Sequence, residues 1–255
     1  MSVFIEILRE RNSVLFWFSL LNLLTSLVLL VLAGLKPFEF GGTNAWFKPL
    51  KFALSTTILC GSLAWYSGYL QAGKGLAIAT WVIVITLGFE VVYITLQAAK
   101  GQASHFNLTT PFNAFMFSLM GAAATAATLA VAYLGWQLMQ QPAAILPDHY
   151  TWALRIGFVL FVVFSFQGFL MGSRLAHGVG GADGGAGLYF LNWSLSHGDL
   201  RIAHFIGMHA LQILPLLAWF VFKNLKLTLA AGVLYGLLAV FVLFQALRGN
   251  SLVNF

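Results

Sequence analysis

Charge is what this sequence has least of. Asp, Glu, Lys and Arg make up 8% of its 255 residues, against about 25% in soluble domains, which excludes an ordinary water-soluble globule. Acid is scarcer than base, with seven Asp and Glu set against thirteen Lys and Arg. Cys60 is the one cysteine, so no internal disulfide forms and cysteine usage says nothing about redox compartment. The short alternating segments of a β-barrel are missing. So are HExxH, CxxC, the HxxxH spacing that aims two imidazoles one way, and the GxSxG nucleophile turn. The Gly-rich run "GVGGADGGAG" has neither the Gly-Lys-Ser/Thr ending nor the leading strand of a phosphate loop. Its single Asp is too few carboxylates for calcium.

What is present is apolar length, since 60% of the residues are hydrophobic. Runs of about 20 such residues cross a bilayer core. Seven are expected as helices, near 13–35, 46–70, 76–98, 112–138, 151–173, 200–222 and 227–247. The expected fold is therefore all-α: one polytopic membrane bundle of seven transmembrane helices over 1–255. The first run is too long for a signal-peptide core and no small-x-small site follows it before "KPFEF", so it reads as a retained helix.

The net charge of +6 is spread singly along the chain, as anchors at lipid headgroups are, and no basic stripe for nucleic acid is present. Lys48, Lys51, Arg174 and Arg201 fall among other polar residues. The rest divide as Arg9, Arg11, Lys74, Arg155, Lys223 and Lys226 on the N-terminal side against Lys36, Lys100 and Arg248 opposite. That bias favours a cytoplasmic N-terminus and a periplasmic C-terminus.

The polar residues inside the runs gather toward one side. His105, His177, His197, His204 and His209 belong to the C-terminal side and only His149 to the other. Glu90 and Gln97 are seven apart and share a helix face, as do Gln167 and Arg174, while His209 and Gln212 are three apart. Lys51, Glu90, His209 and Gln212 all fall roughly 7–15 Å below the same surface at about 1.5 Å per residue. A charge at the bilayer centre costs roughly 2.5–3.5 kcal/mol and usually faces the bundle interior. Glu90 can reduce that cost by taking a proton or by pairing with a cation such as Lys51. Pro215 withholds a backbone donor and so favours an irregular, cavity-lining helix there. Asp199, after Gly198, suits a helix N-cap.

These residues predict a one-sided polar cavity lined by Lys51, Gln97, Gln167, Arg174 and Gln212. In an enzymatic reading Glu90, His209 and Arg201 supply acid, base and anion partner. His105, His204 and His209, with Glu90, are the candidate ligands for a metal ion (Zn, Cu or Fe), and the same histidines the candidate axial ligands for haem. His204 and His209 stand about 140° apart round a helix, so any metal needs ligands from separate elements. A transporter or proton sensor would use the same cavity without covalent chemistry. A subunit of a larger membrane complex is a further reading. The expected partners are the bilayer and a small or lipid-like ligand.

The segments "WFKPLKF", "QAAKGQASHFN" and "GDLRIAHFIGMHALQILP", with the Gly-rich loop before the last, resemble a group of multi-pass bacterial membrane proteins. The resemblance implies a bacterial inner-membrane protein and brings no activity, cofactor or catalytic residue with it. Seven-helix metal-dependent membrane hydrolases are similar in gathering His, Asp and Ser at one face, but their paired-histidine helix motif is absent.

Overall fold

The computed structural model describes residues 2–140, 146–185 and 187–252. The connection expected at 139–150 therefore falls partly outside the described residues, as does Ala186 of the Gly-rich run. The chain divides into two compact units, Met1–Ala130 and Val131–Phe255.

The first unit begins with α1 (Ser2–Arg11), a helix too short to have shown among the apolar runs. Asn12 breaks it from α2 (Ser13–Leu35) by adopting an extended backbone, and its side chain caps α2 at the Leu15 N–H. The same amide donates to Ser67 Oγ and Thr80 Oγ1, so one residue ties the starts of α2 and α4 to the end of α3. Arg11 stacks on Trp65, its guanidinium 3.8 Å from the ring centroid, and donates to the Trp65 carbonyl at 2.7 Å. After α2 comes a small antiparallel hairpin, β1 (Glu39–Phe40) with β2 (Thr43–Asn44). Its turn residues, Gly41 and Gly42, have φ of 62° and 77°, a region glycine enters without strain. Then follow α3 (Phe47–Ser67), α4 (Lys74–Ala99) and the first part of α5 (Pro111–Gln140).

The second unit holds the end of α5, then α6 (Asp148–Arg174), α7 (Leu200–Leu217) and α8 (Leu225–Leu247). Small residues let α6 and α7 approach closely, as in many membrane helix pairs. A Cβ built on Gly157 would lie 3.0 Å from the Leu211 Cα, and one on Gly207 would lie 2.0 Å from the Phe164 ring. Ala153, Ala203 and Ala210 are wholly buried nearby. α7 runs through Pro215 without breaking. The irregularity appears one turn later, where Ala218–Phe222 is π-helical and the Lys223 N–H reaches back five residues to the Ala218 carbonyl.

Among the described residues six helices are long and apolar enough to cross a membrane: Ser13–Leu35, Lys74–Ala99, Pro111–Gln140, Asp148–Arg174, Leu200–Phe222 and Leu225–Leu247. They carry exposed Leu21, Val28, Ile85, Val163, Leu234 and Phe241, the dressing of a lipid-facing surface. The chain is a multi-pass, all-helical membrane protein. The expected count of seven is met as helices but not as spans. α3 forms over nearly the expected residues, yet Lys48, Lys51, Ser55, Thr56, Thr57 and Ser62 leave it short of the apolar content of the other six.

Candidate functional site

In the first unit the polar residues assemble on α4. Ile83, Glu90, Ile94 and Gln97 are buried at spacings of seven, four and three, which is one helical face. Glu90 is 8% exposed. Among the described residues it has no ion-pair or hydrogen-bond partner. One turn on, Tyr93 is 6% exposed, and its hydroxyl also lacks a partner. The Tyr93 ring stacks on Phe89, centroids 6.2 Å apart. With Ile94 and Met120 it forms a cluster onto which Phe52 of α3 and Met116 of α5 pack. The sequence reading passed over Tyr93 as one aromatic among many. Its place three after Glu90 and four before Gln97 was the available signal.

The end of α4 is anchored to the segment that follows. Gln97 Nε2 donates to the Ala103 carbonyl at 3.2 Å, and Asn107 Nδ2 donates to the same oxygen at 3.0 Å. Gly101 and Phe106 take positive φ of 63° and 58° to fold the turn. His105 lies on that turn, its Nδ1 3.1 Å from Ser104 Oγ and its ring 5.8 Å from Phe52. Glu90 and Gln97 thus share a face of α4, and Gln97 reaches the turn that carries His105. Lys51 adjoins Phe52 on α3.

In the second unit the expected residues take separate roles. Asp199 caps α7, accepting from the Arg201 N–H at 3.0 Å and the Ser194 N–H at 2.9 Å. Arg201 folds back on it, Nε to Oδ1 at 2.9 Å and Nη2 to Oδ2 at 2.6 Å. The same Nη2 donates to the Asn192 carbonyl. Arg201 is therefore held in a fork–fork pair that staples the Gly-rich segment to the head of α7.

That segment is a folded cap. β3 (Gly178–Val179) pairs antiparallel with β4 (Gly198–Asp199). Asp183 accepts from the His177 and Gly178 N–H groups, both at 2.8 Å, and lies 2.9 Å from His177 Nδ1. Partial burial pushes the Asp183 carboxyl up, but the hydrogen bonds and charge of His177 and the Gly178 N–H outweigh it. They hold the group below its ordinary value. The glycines are required by contact: a Cβ on Gly181 would meet the His197 ring at 2.5 Å, and one on Gly198 the Ala246 carbonyl at 2.0 Å.

His204 and His209 diverge, as their spacing predicts. His204 Nδ1 lies 2.6 Å from the Phe164 carbonyl across on α6, and the ring fits because Gly168 has no Cβ to block it. His209 Nδ1 lies 2.8 Å from the Phe205 carbonyl of its own helix, with its ring stacked on Phe205 at 4.0 Å. A carbonyl only accepts, so each ring donates from Nδ1, and in a neutral imidazole that leaves Nε2 as the lone pair. Gln167 is buried with both amide atoms lacking partners. Gln212 is half-buried and Arg174 exposed at the end of α6.

Of the four expected metal ligands, His105 and Glu90 belong to the first unit and His204 and His209 to the second. Among the described residues no group of three or more His, Cys, Asp or Glu is placed to hold a metal ion. No family model, curated protein or solved structure matches the chain.

Proposed function

We propose that this membrane protein binds a small polar or amphiphilic molecule at the face of α4 headed by Glu90, and couples binding to protonation of that carboxyl, as a transporter or sensor does. The observation carrying this reading is Glu90 itself, buried in a span with no ion-pair or hydrogen-bond partner among the described residues. Groups so placed are expensive in a bilayer and mark ion, proton or substrate sites. Gln97 and the turn that carries His105 complete the polar end of that face. The resemblance and the excess of basic residues on the N-terminal side support a bacterial inner membrane with the N-terminus cytoplasmic.

A hydrophobic carbodiimide tests the reading, since it reacts with protonated carboxyls in apolar surroundings. Of the seven acids, Glu90 is expected to take the adduct, at a rate falling as pH rises, and Glu90→Gln to take none. Absence of an adduct at Glu90 overturns it.

The second reading is chemical: a metal- or haem-bearing site on α7 to which His204 or His209 contributes a ring nitrogen. Its support is the Nδ1–H donated to a carbonyl by both His204 and His209, which leaves Nε2 as the atom a metal takes. Metal analysis and visible spectra of the purified protein decide this. A bound transition metal or a Soret band sustains it, and metal-free protein without one removes it.

A further inference from the structure

The α4 face offers more than a carboxyl. Glu90, Tyr93 and Gln97 form a ladder of acid, phenol and amide, and the Tyr93 hydroxyl is buried without a partner. The rings of Phe52 and Phe89 pack on the same cluster as Tyr93, with the thioethers of Met116 and Met120. Glu90 lies one helical turn before Tyr93 on α4, and a buried carboxylate needs a positive charge, because hydrocarbon offers it no solvation. The surroundings also say which kind.

A hard metal cation asks for about six oxygen ligands. The ladder supplies the two oxygens of Glu90, the Tyr93 hydroxyl and the Gln97 amide oxygen. Aromatic faces, in contrast, attract an ammonium whose charge is spread over alkyl groups, and they do so best when desolvated. Phe52, Phe89 and Tyr93 come from two helices. Lys51, next to Phe52, is turned about 100° from it around α3.

We infer that Glu90, Tyr93, Phe52 and Phe89 form a binding site for an organic ammonium group, the carboxylate supplying the counter-charge, the rings the cation–π surface and the phenol a hydrogen bond. This rests on the reading of Glu90 as the protein's ligand-binding carboxyl and names the class of ligand it takes. Tyr93 would then be a specificity residue, its hydroxyl left for the ligand.

The test is protection of Glu90 from the carbodiimide in the full-length protein in lipid nanodiscs, with tetramethylammonium chloride as probe and sodium chloride at equal ionic strength as control. Tetramethylammonium is expected to slow the adduct at Glu90 about tenfold, and sodium to leave the rate unchanged. Tyr93→Phe removes only an unpartnered hydroxyl, and its protection is read against its own unprotected labelling rate. It and Phe52→Ala should each weaken protection by about threefold to tenfold. Equal protection by sodium overturns the organic-cation site in favour of a metal-cation one. No protection by either salt overturns it while the protonatable Glu90 stands, and no adduct at all removes both.

Discussion

Asp199 at the head of α7 and Glu90 within α4 are both carboxylates withdrawn from solvent, 2% and 8% exposed, but their surroundings differ. Asp199 accepts from two backbone N–H groups and from the fork of Arg201. Glu90 is buried within a membrane-spanning helix and has no such partner among the described residues. The first arrangement satisfies a charge so that a loop stays folded. The second leaves a cost standing inside a span, and such costs persist where a ligand or proton relieves them. Burial alone does not separate structure from function; what the buried group still lacks does.

Three changes sharpen or break that contrast. Asp199→Ala strands the Arg201 guanidinium and the Ser194 N–H together, so it should cost about 3 kcal/mol. Faster hydrogen exchange across residues 176–199, with a lowered unfolding midpoint in detergent, is the expected result. Glu90→Leu should act the opposite way and stabilise by about 2 kcal/mol by removing an uncompensated acid. A lower midpoint for that variant would show that Glu90 has a structural partner after all. The smallest effect concerns Asp183, which is too exposed to carry much stability. Its carboxyl is held below its ordinary value, so its contribution is complete above about pH 4. It disappears as pH falls through the folded-state value, when protonation weakens the bonds from His177 and Gly178. Exchange of the Gly178 amide should stay slow at pH 5 and rise only in stronger acid.

Much of the helical frame was legible in the sequence, because long apolar runs state their own ends. The runs expected at 13–35 and 200–222 coincide with Ser13–Leu35 and Leu200–Phe222. α1 was not legible: ten residues with Glu6, Arg9, Glu10 and Arg11 are too few and too charged to register as a run. Asp199 as an N-cap follows from chain chemistry and is found. Arg201 was read as an anion partner, because nothing in the order of residues shows a side chain turning back two positions onto a carboxylate. The cap was legible only as glycine content; that those glycines make room for His197 and the Ala246 carbonyl needs three dimensions. Tyr93 was visible in spacing, but its empty hydroxyl was not.

The π-helical turn at Ala218–Phe222 makes one further statement about this chain. A π turn fits one more residue into a helical circuit than an α turn does. The helix that begins at Leu200 ends on this turn, at the Lys223 cap, and a chain with one residue fewer between 218 and 222 would run as plain α-helix to that end. Removal of a single residue there should be absorbed locally, whereas the same deletion earlier in α7 would rotate His204 away from the Phe164 carbonyl. The turn is where this protein can gain or lose length without disturbing the face of α7 that meets α6.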